Sequence, residues 1–107
     1  MPHYLLQVSY TPEAWATMAK NPQDRVERVR PAIEGLGGKI VSAYFAFGED
    51  DLIVITEMPD NVAAAAFAIS ATAGGAVSSL TTTPLLTTAE AVEAMKKAGG
   101  TGYKPPS

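Results

Sequence analysis

Acidic side chains crowd one short stretch of this chain: Glu49, Asp50 and Asp51 are consecutive, and Glu57 follows on the far side of an apolar run. Neighbouring carboxylates can hold a hard cation such as Mg²⁺ or Ca²⁺, or raise the pKa of one of their number until it accepts a proton. Calcium loops alternate ligands with spacers, whereas this run is contiguous, and Asp is a common turn residue. An exposed turn is therefore the simpler reading, and no metal is expected. Asp51, immediately ahead of the apolar run, is the one of the three expected to have a specific partner. Glu57, just before Met58-Pro59, reads either as a general base or as a carboxylate that caps the next helix or pairs with an arginine. His3 is the single histidine, so two imidazoles cannot meet on a metal within one chain.

Neutral polar groups complete the set of candidates. Gln7 and Ser9 share one face of the first apolar-polar segment, and Ser42 and Tyr44 share one face of a later one. Of the bulky aromatics Tyr10, Trp15, Tyr44 and Phe45, which are expected near an open sheet face and its edge, Tyr44 is the best placed for a hydroxyl that meets a ligand. The candidate site residues are accordingly His3, Gln7, Ser9, Ser42, Tyr44, Asp51 and Glu57, each with packing or plain exposure as its simpler alternative. There is no Ser-His-Asp order, phosphate loop or dinucleotide fingerprint, because Gly35, Gly37 and Gly38 follow a helical stripe rather than a strand. With no cysteine, disulfides, Cys-based metal sites and thiol nucleophiles are excluded.

The elements that must carry these residues follow from periodicity. Tyr4, Leu6, Val8 and Tyr10 alternate with His3, Leu5, Gln7 and Ser9, the period of a strand. Thr11-Pro12 supplies an N-cap and a proline in the first helical turn. Asn21-Pro22 reads as a second start, beyond which Val26, Val29, Ile33 and Leu36 form an apolar stripe that Gly37-Gly38 ends. Lys39 to Phe47 and Leu52 to Glu57 read as two strands of a hairpin, the second apolar enough to be central and covered on both sides. Asp60 caps a helix running through the alanines to Gly74-Gly75. Val77 to Leu86 is a strand whose Pro84 suits an edge, and Thr87-Thr88-Ala89-Glu90 matches a capping box before a short helix ending near Lys97.

The expected fold class is α+β: a ferredoxin-like β-α-β-β-α-β antiparallel sheet with helices on one face, a short extra C-terminal helix and a tail. Residues 1–98 form a single domain and 99–107 a Gly/Pro-rich tail. Hydrophobic residues make up 47% of the 107, but many are alanines, so the core is thin and a second copy is expected to cover the open sheet face. The net charge of −3 argues against nucleic acid, and Arg25, Arg28 and Arg30 are interspersed with Asp24, Glu27 and Glu34, as on a solvated helix face. The alanine-rich stretch 62–73 falls short of the roughly 20 apolar residues that cross a bilayer, and no signal-peptide pattern opens the chain. A cytoplasmic location without membrane contact is expected.

The run Phe47-Gly48-Glu49-Asp50-Asp51-Leu52-Ile53-Val54-Ile55-Thr56-Glu57-Met58-Pro59-Asp60 resembles the GYD family of small bacterial proteins, named for a Gly-(x)-Tyr-Asp turn ahead of an apolar strand. The opening Tyr4 to Pro12 and the end Tyr103-Lys104-Pro105-Pro106 resemble it too, so the likeness covers essentially the whole chain. It implies a ferredoxin-like fold related to the dimeric α/β barrel proteins, and no particular activity. Gly48 matches the first motif position and Asp51 the last, while Asp50 stands where the family has tyrosine. A mechanism that used that tyrosine's hydroxyl would be lost here.

Together these features point to a homo-oligomer that binds a small organic ligand, or serves as a scaffold, with paired sheets around a cavity of mixed polarity. The alternative is a cofactor-independent enzyme, by proton transfer or monooxygenase-like chemistry, that would need His3, Tyr44, Asp51 or Glu57 to face an enclosed pocket. No cofactor is expected in either case.

Overall fold

Side-chain alternation along the first strand fixes which way the sheet faces. In the computed structural model, which describes residues 1–107, Tyr4, Leu6, Val8 and Tyr10 of β1 (His3–Tyr10) are buried and the residues between them are half-buried. The order continues as α1 (Pro12–Lys20), α2 (Arg25–Gly35), β2 (Lys39–Phe45), β3 (Leu52–Glu57), α3 (Asn61–Ala73), β4 (Val77–Leu85) and α4 (Thr88–Gly99). The four strands form one sheet in the order β2-β3-β1-β4, antiparallel at each pairing. The fold is thus α+β, with a four-stranded antiparallel sheet and four helices.

The buried face of the sheet packs under α2 and α3. Leu6, Val8, Leu52 and Val54 meet Ile33 of α2 and Ala64 and Phe67 of α3, with Met58 closing one end. Only 11 of the 107 residues are buried, so the core is thin even by the standard of a small domain. β3 lies between β2 and β1, but its coverage is one-sided in the single chain: Leu52, Val54 and Thr56 are buried, whereas Ile53, Ile55 and Glu57 are half-exposed. An apolar strand signals burial without saying that its own chain supplies both covers.

Local chemistry accounts for the ends of the elements. The helical region after β1 is two helices, and the second starts at Asp24 rather than at Asn21-Pro22, because the Asp24 carboxylate accepts from the amides of Val26 and Glu27. α2 stops in a Schellman arrangement, with Gly38 N–H donating to Ile33 and Gly37 N–H to Glu34, and with Gly37 at φ +86°. Thr87 and Glu90 form the reciprocal capping box at the start of α4. α4 itself buries no residue. The molecule measures 58 × 35 × 22 Å with a radius of gyration of 17.1 Å, against about 13 Å for a compact chain of this size. No helix is long and apolar enough to cross a membrane.

Candidate functional site

The face of the sheet away from the helices is an ordered grid. Strand pairing sets Lys39, Glu57, His3 and Leu85 side by side in one row across all four strands. The next row is Ser42, Ile55, Leu5 and Thr83, and the one after it Tyr44, Ile53, Gln7 and Thr81. Ser9 opposite Ser79 extends the grid at its far end. Ser42 reaches its row only because the β2–β3 register shifts between Ile40 and Ser42, which leaves Val41 as an unpaired extra residue. A middle of Leu5, Ile53 and Ile55 is therefore flanked by hydroxyls and the Gln7 amide, with a charged row at one end.

That charged row is an ion-pair chain. Glu57 lies 3.3 Å from His3 Nε2 through one carboxylate oxygen and 3.6 Å from Lys39 Nζ through the other. Glu57 is the better shielded partner, at 23% side-chain exposure against 64% for Lys39. A carboxylate beside an imidazole is the arrangement that orients a general acid or base. Its partner on the strand side is Lys39 and His3 rather than an arginine, and the helix after Pro59 is capped by Asp60 instead.

The acidic turn does not gather into one site. Asp50 turns toward the open face, where it accepts from Gln7 Nε2 at 3.4 Å and from Ser9 Oγ at 3.3 Å. Asp51 turns the opposite way, and its Oδ2 accepts from the backbone N–H of Tyr10 at 2.9 Å and from Trp15 Nε1 at 3.2 Å. Adjacent residues in an extended turn point to opposite sides, and no group of three His, Asp or Glu side chains is arranged to hold a metal ion.

Tyr10, Trp15 and Phe45 belong with Asp51 on the helix side, not with the open face. Tyr10 and Trp15 meet edge to face at 5.5 Å between ring centroids, and Trp15 and Phe45 at 6.5 Å. Burial pushes the Tyr10 phenol above its ordinary value, with Arg25 opposing the shift and Asp51 adding to it. Of the seven candidates, His3, Gln7, Ser9, Ser42, Tyr44 and Glu57 share the open face and Asp51 does not. Lys39, Thr81 and Thr83 join them there through pairing that no local pattern announces. The run Thr81-Thr82-Thr83, in particular, lacks the polar contrast that would reveal its faces.

This geometry can be set beside known proteins. The family model described as the GYD domain matches residues 4–95. The chain belongs to the GYD domain family. The match runs from β1 into α4 and takes in the acidic turn. Among solved structures the chain is similar to the crystal structure of MtbAldR, with a TM-score of 0.60 and 20% identity over 80% of this chain. The match spans 53% of that protein, and at this identity the likeness speaks to the fold alone. No curated protein matches the sequence.

Proposed function

We propose that this GYD-domain protein is a homo-oligomer whose sheets pair through their open faces and enclose a site for a small organic molecule. The observation that carries the reading is the open face itself. Leu5, Ile53 and Ile55 are exposed enough to need a cover, yet they are bordered by Gln7, Ser9, Ser42, Tyr44 and the Lys39–Glu57–His3 row. A purely apolar patch would serve a dry interface; convergent polar groups around an apolar floor are the make-up of a small-molecule site. The strand order β2-β3-β1-β4, with α2 and α3 on one side, supports a ferredoxin-like unit of the kind that pairs into dimeric α/β barrels. Its charge and mixed polarity fit a neutral or anionic polar metabolite at the Lys39–His3 end.

Light scattering on the eluted protein, followed by a thermal-shift screen of small organic acids and amides, tests the reading. A dimer or larger assembly whose melting temperature rises with a ligand, and loses that rise in Glu57→Gln, supports it. A stable monomer at micromolar concentration overturns it.

One observation favours cofactor-independent proton transfer as a second reading: the 3.3 Å contact between His3 Nε2 and Glu57. In that case the pair supplies the acid or base, and Tyr44 the hydroxyl that meets the substrate. His3→Gln would then abolish turnover and leave ligand binding in place.

A further inference from the structure

On the opposite side of the sheet, α2 and α3 stand apart and leave a cleft of about 280 Å³. Its floor is made by the buried strand residues Leu6, Val8 and Val54, and its walls by Ile33 and Phe67. Thirteen of its 17 lining residues are hydrophobic, and the cationic groups among them are Arg25 and Arg28 of α2.

Those two guanidiniums have no carboxylate. The acids nearest in sequence are already engaged: Asp24 caps α2, and Glu27 holds Arg30 in a two-point contact at 2.9 and 3.2 Å. None of the ion pairs in the molecule involves Arg25 or Arg28. Arg25 reaches the side-chain oxygen of Gln23 at 3.5 Å, a weak contact, and it acts on the Tyr10 phenol at the cleft's edge through its charge and a side-chain hydrogen bond. Both partners are neutral and leave its charge uncompensated. An arginine on a wholly solvated helix needs no such account, but these two line an apolar cavity.

The combination selects a ligand class. The apolar lining rewards a hydrocarbon chain, and two guanidiniums without a carboxylate partner at the same cleft reward a carboxylate, which they can grip through paired N–H donors. A cationic amphiphile is rejected by the same charges, and a bare inorganic anion leaves the apolar walls unfilled. A volume just under the roughly 300–1,000 Å³ of small-molecule sites suits a medium-chain acid and is too small for a whole phospholipid. We propose that the cleft between α2 and α3 binds a medium-chain aliphatic carboxylate, with the chain against Leu6, Val8 and Phe67 and the head group on Arg25 and Arg28. This site lies within a single chain, on the face away from the paired sheets, so it stands or falls independently of the open-face reading.

Calorimetric titration with sodium octanoate, 1-octanol and octylamine tests it. Octanoate is expected to bind at least ten-fold more tightly than octanol, with no measurable octylamine binding. The double variant Arg25→Gln/Arg28→Gln should lose at least ten-fold in octanoate affinity while its octanol affinity stays within two-fold. Arg30→Gln, which removes a charge already paired with Glu27, should leave octanoate affinity within two-fold of the parent. Trp15 emission gives a location, since its ring packs on Tyr10 at the cleft and should respond to octanoate in the parent protein. Ala71→Leu, which fills the cleft wall, should weaken octanoate and octanol alike, with circular dichroism confirming that it folds. Absence of octanoate binding at millimolar concentration overturns the proposal. So does equal affinity for octanoate and octanol, or an octanoate affinity that the double arginine variant leaves unchanged.

Discussion

Asp51 ties the β2–β3 turn to the first helix by accepting a hydrogen bond from the Trp15 indole at 3.2 Å. The same oxygen accepts from the Tyr10 backbone at 2.9 Å, where β1 gives way to α1. One carboxylate thereby joins the turn, the end of an inner strand and a helix that otherwise buries nothing of its own. Asp51 is thus a structural clasp in this chain.

Removing the clasp should cost stability and leave open-face binding intact. Hydrogen bonds to a charged group contribute about 1.5–3 kcal/mol each, and the 40% exposure of Trp15 lowers its share. Asp51→Ala is therefore expected to destabilise by about 2 kcal/mol, and Asp51→Asn by less, since its amide oxygen still accepts. Urea unfolding followed by circular dichroism gives the ranking, and a red shift of Trp15 emission marks the loosened helix. An unchanged midpoint in Asp51→Ala would refute the clasp.

Gly37 and Gly38 look interchangeable in the sequence but do different work. Gly37 carries the positive φ of +86° that ends α2. Gly38 has an ordinary backbone, yet a Cβ there would collide with the Glu57 carbonyl oxygen and the Met58 sulfur. Gly38 thus lets β2 begin close beside the residues that set the Lys39–Glu57 row. Gly37→Ala should cost about 1–2 kcal/mol through left-handed strain, and Gly38→Ala about 1–3 kcal/mol through overpacking. Only Gly38→Ala should also disturb the amide resonances of Glu57 and Met58. Gly48, with open space around its Cα, should accept alanine at little cost.

The signals that sequence carries well are those completed within a few residues. The alternation of His3 to Tyr10, the Asp60 cap and the Thr87–Glu90 box each need only local geometry, and each stands in the structure where its pattern places it. What sequence hides is decided across strands. The Val41 bulge that brings Ser42 opposite Ile55 depends on β3, and the row joining Lys39, Glu57 and His3 exists only once three strands are paired. Arg25 and Arg28 read as part of a mixed solvated face because their neighbours in sequence are acidic. Arg28 is indeed exposed, but the Asp24 carboxylate is taken up by a cap and that of Glu27 by Arg30, a partition that depends on helix start and side-chain direction. The one-sided cover of β3 is hidden for a further reason: an apolar run reports a need for burial, and the cover can come from another chain.

Acid should loosen the start of α4 before it touches the core. Backbone and side-chain hydrogen bonds with Thr87 hold the Glu90 carboxyl below its ordinary value of 4.5. A depressed folded-state pKa means that the capping contribution is present above 4.5 and is lost as pH falls through the folded value. Helical secondary shifts of residues 88–92 should therefore decline on acidification through that range. Glu90→Gln keeps an acceptor for the Thr87 N–H without a titrating group, so its α4 should not respond over the same interval. An identical decline in Glu90→Gln would assign the change to other carboxyls.

A charge placed in the middle of the open face gives the most direct test of what that face is for. Ile55 lies between Ser42 and Leu5 in the central row and points away from the core formed by Leu52, Val54 and Thr56. Ile55→Lys leaves the helix-side packing untouched, so circular dichroism and the melting transition of the isolated chain should change little. In a paired-sheet assembly the same ammonium would be buried against apolar partners, which costs several kcal/mol unless it finds a counter-charge. A loss of about 2 kcal/mol or more in association weakens the dissociation constant roughly thirty-fold. Sedimentation should then move from the assembly toward the 11.2 kDa monomer at concentrations where the parent stays associated. Thr83→Lys, in the same row but on the edge strand β4, should do so less, because a long side chain there can carry its charge to solvent. An Ile55→Lys protein that associates as tightly as its parent would show that the sheets do not pair through this face, and the enclosed site would fall with it.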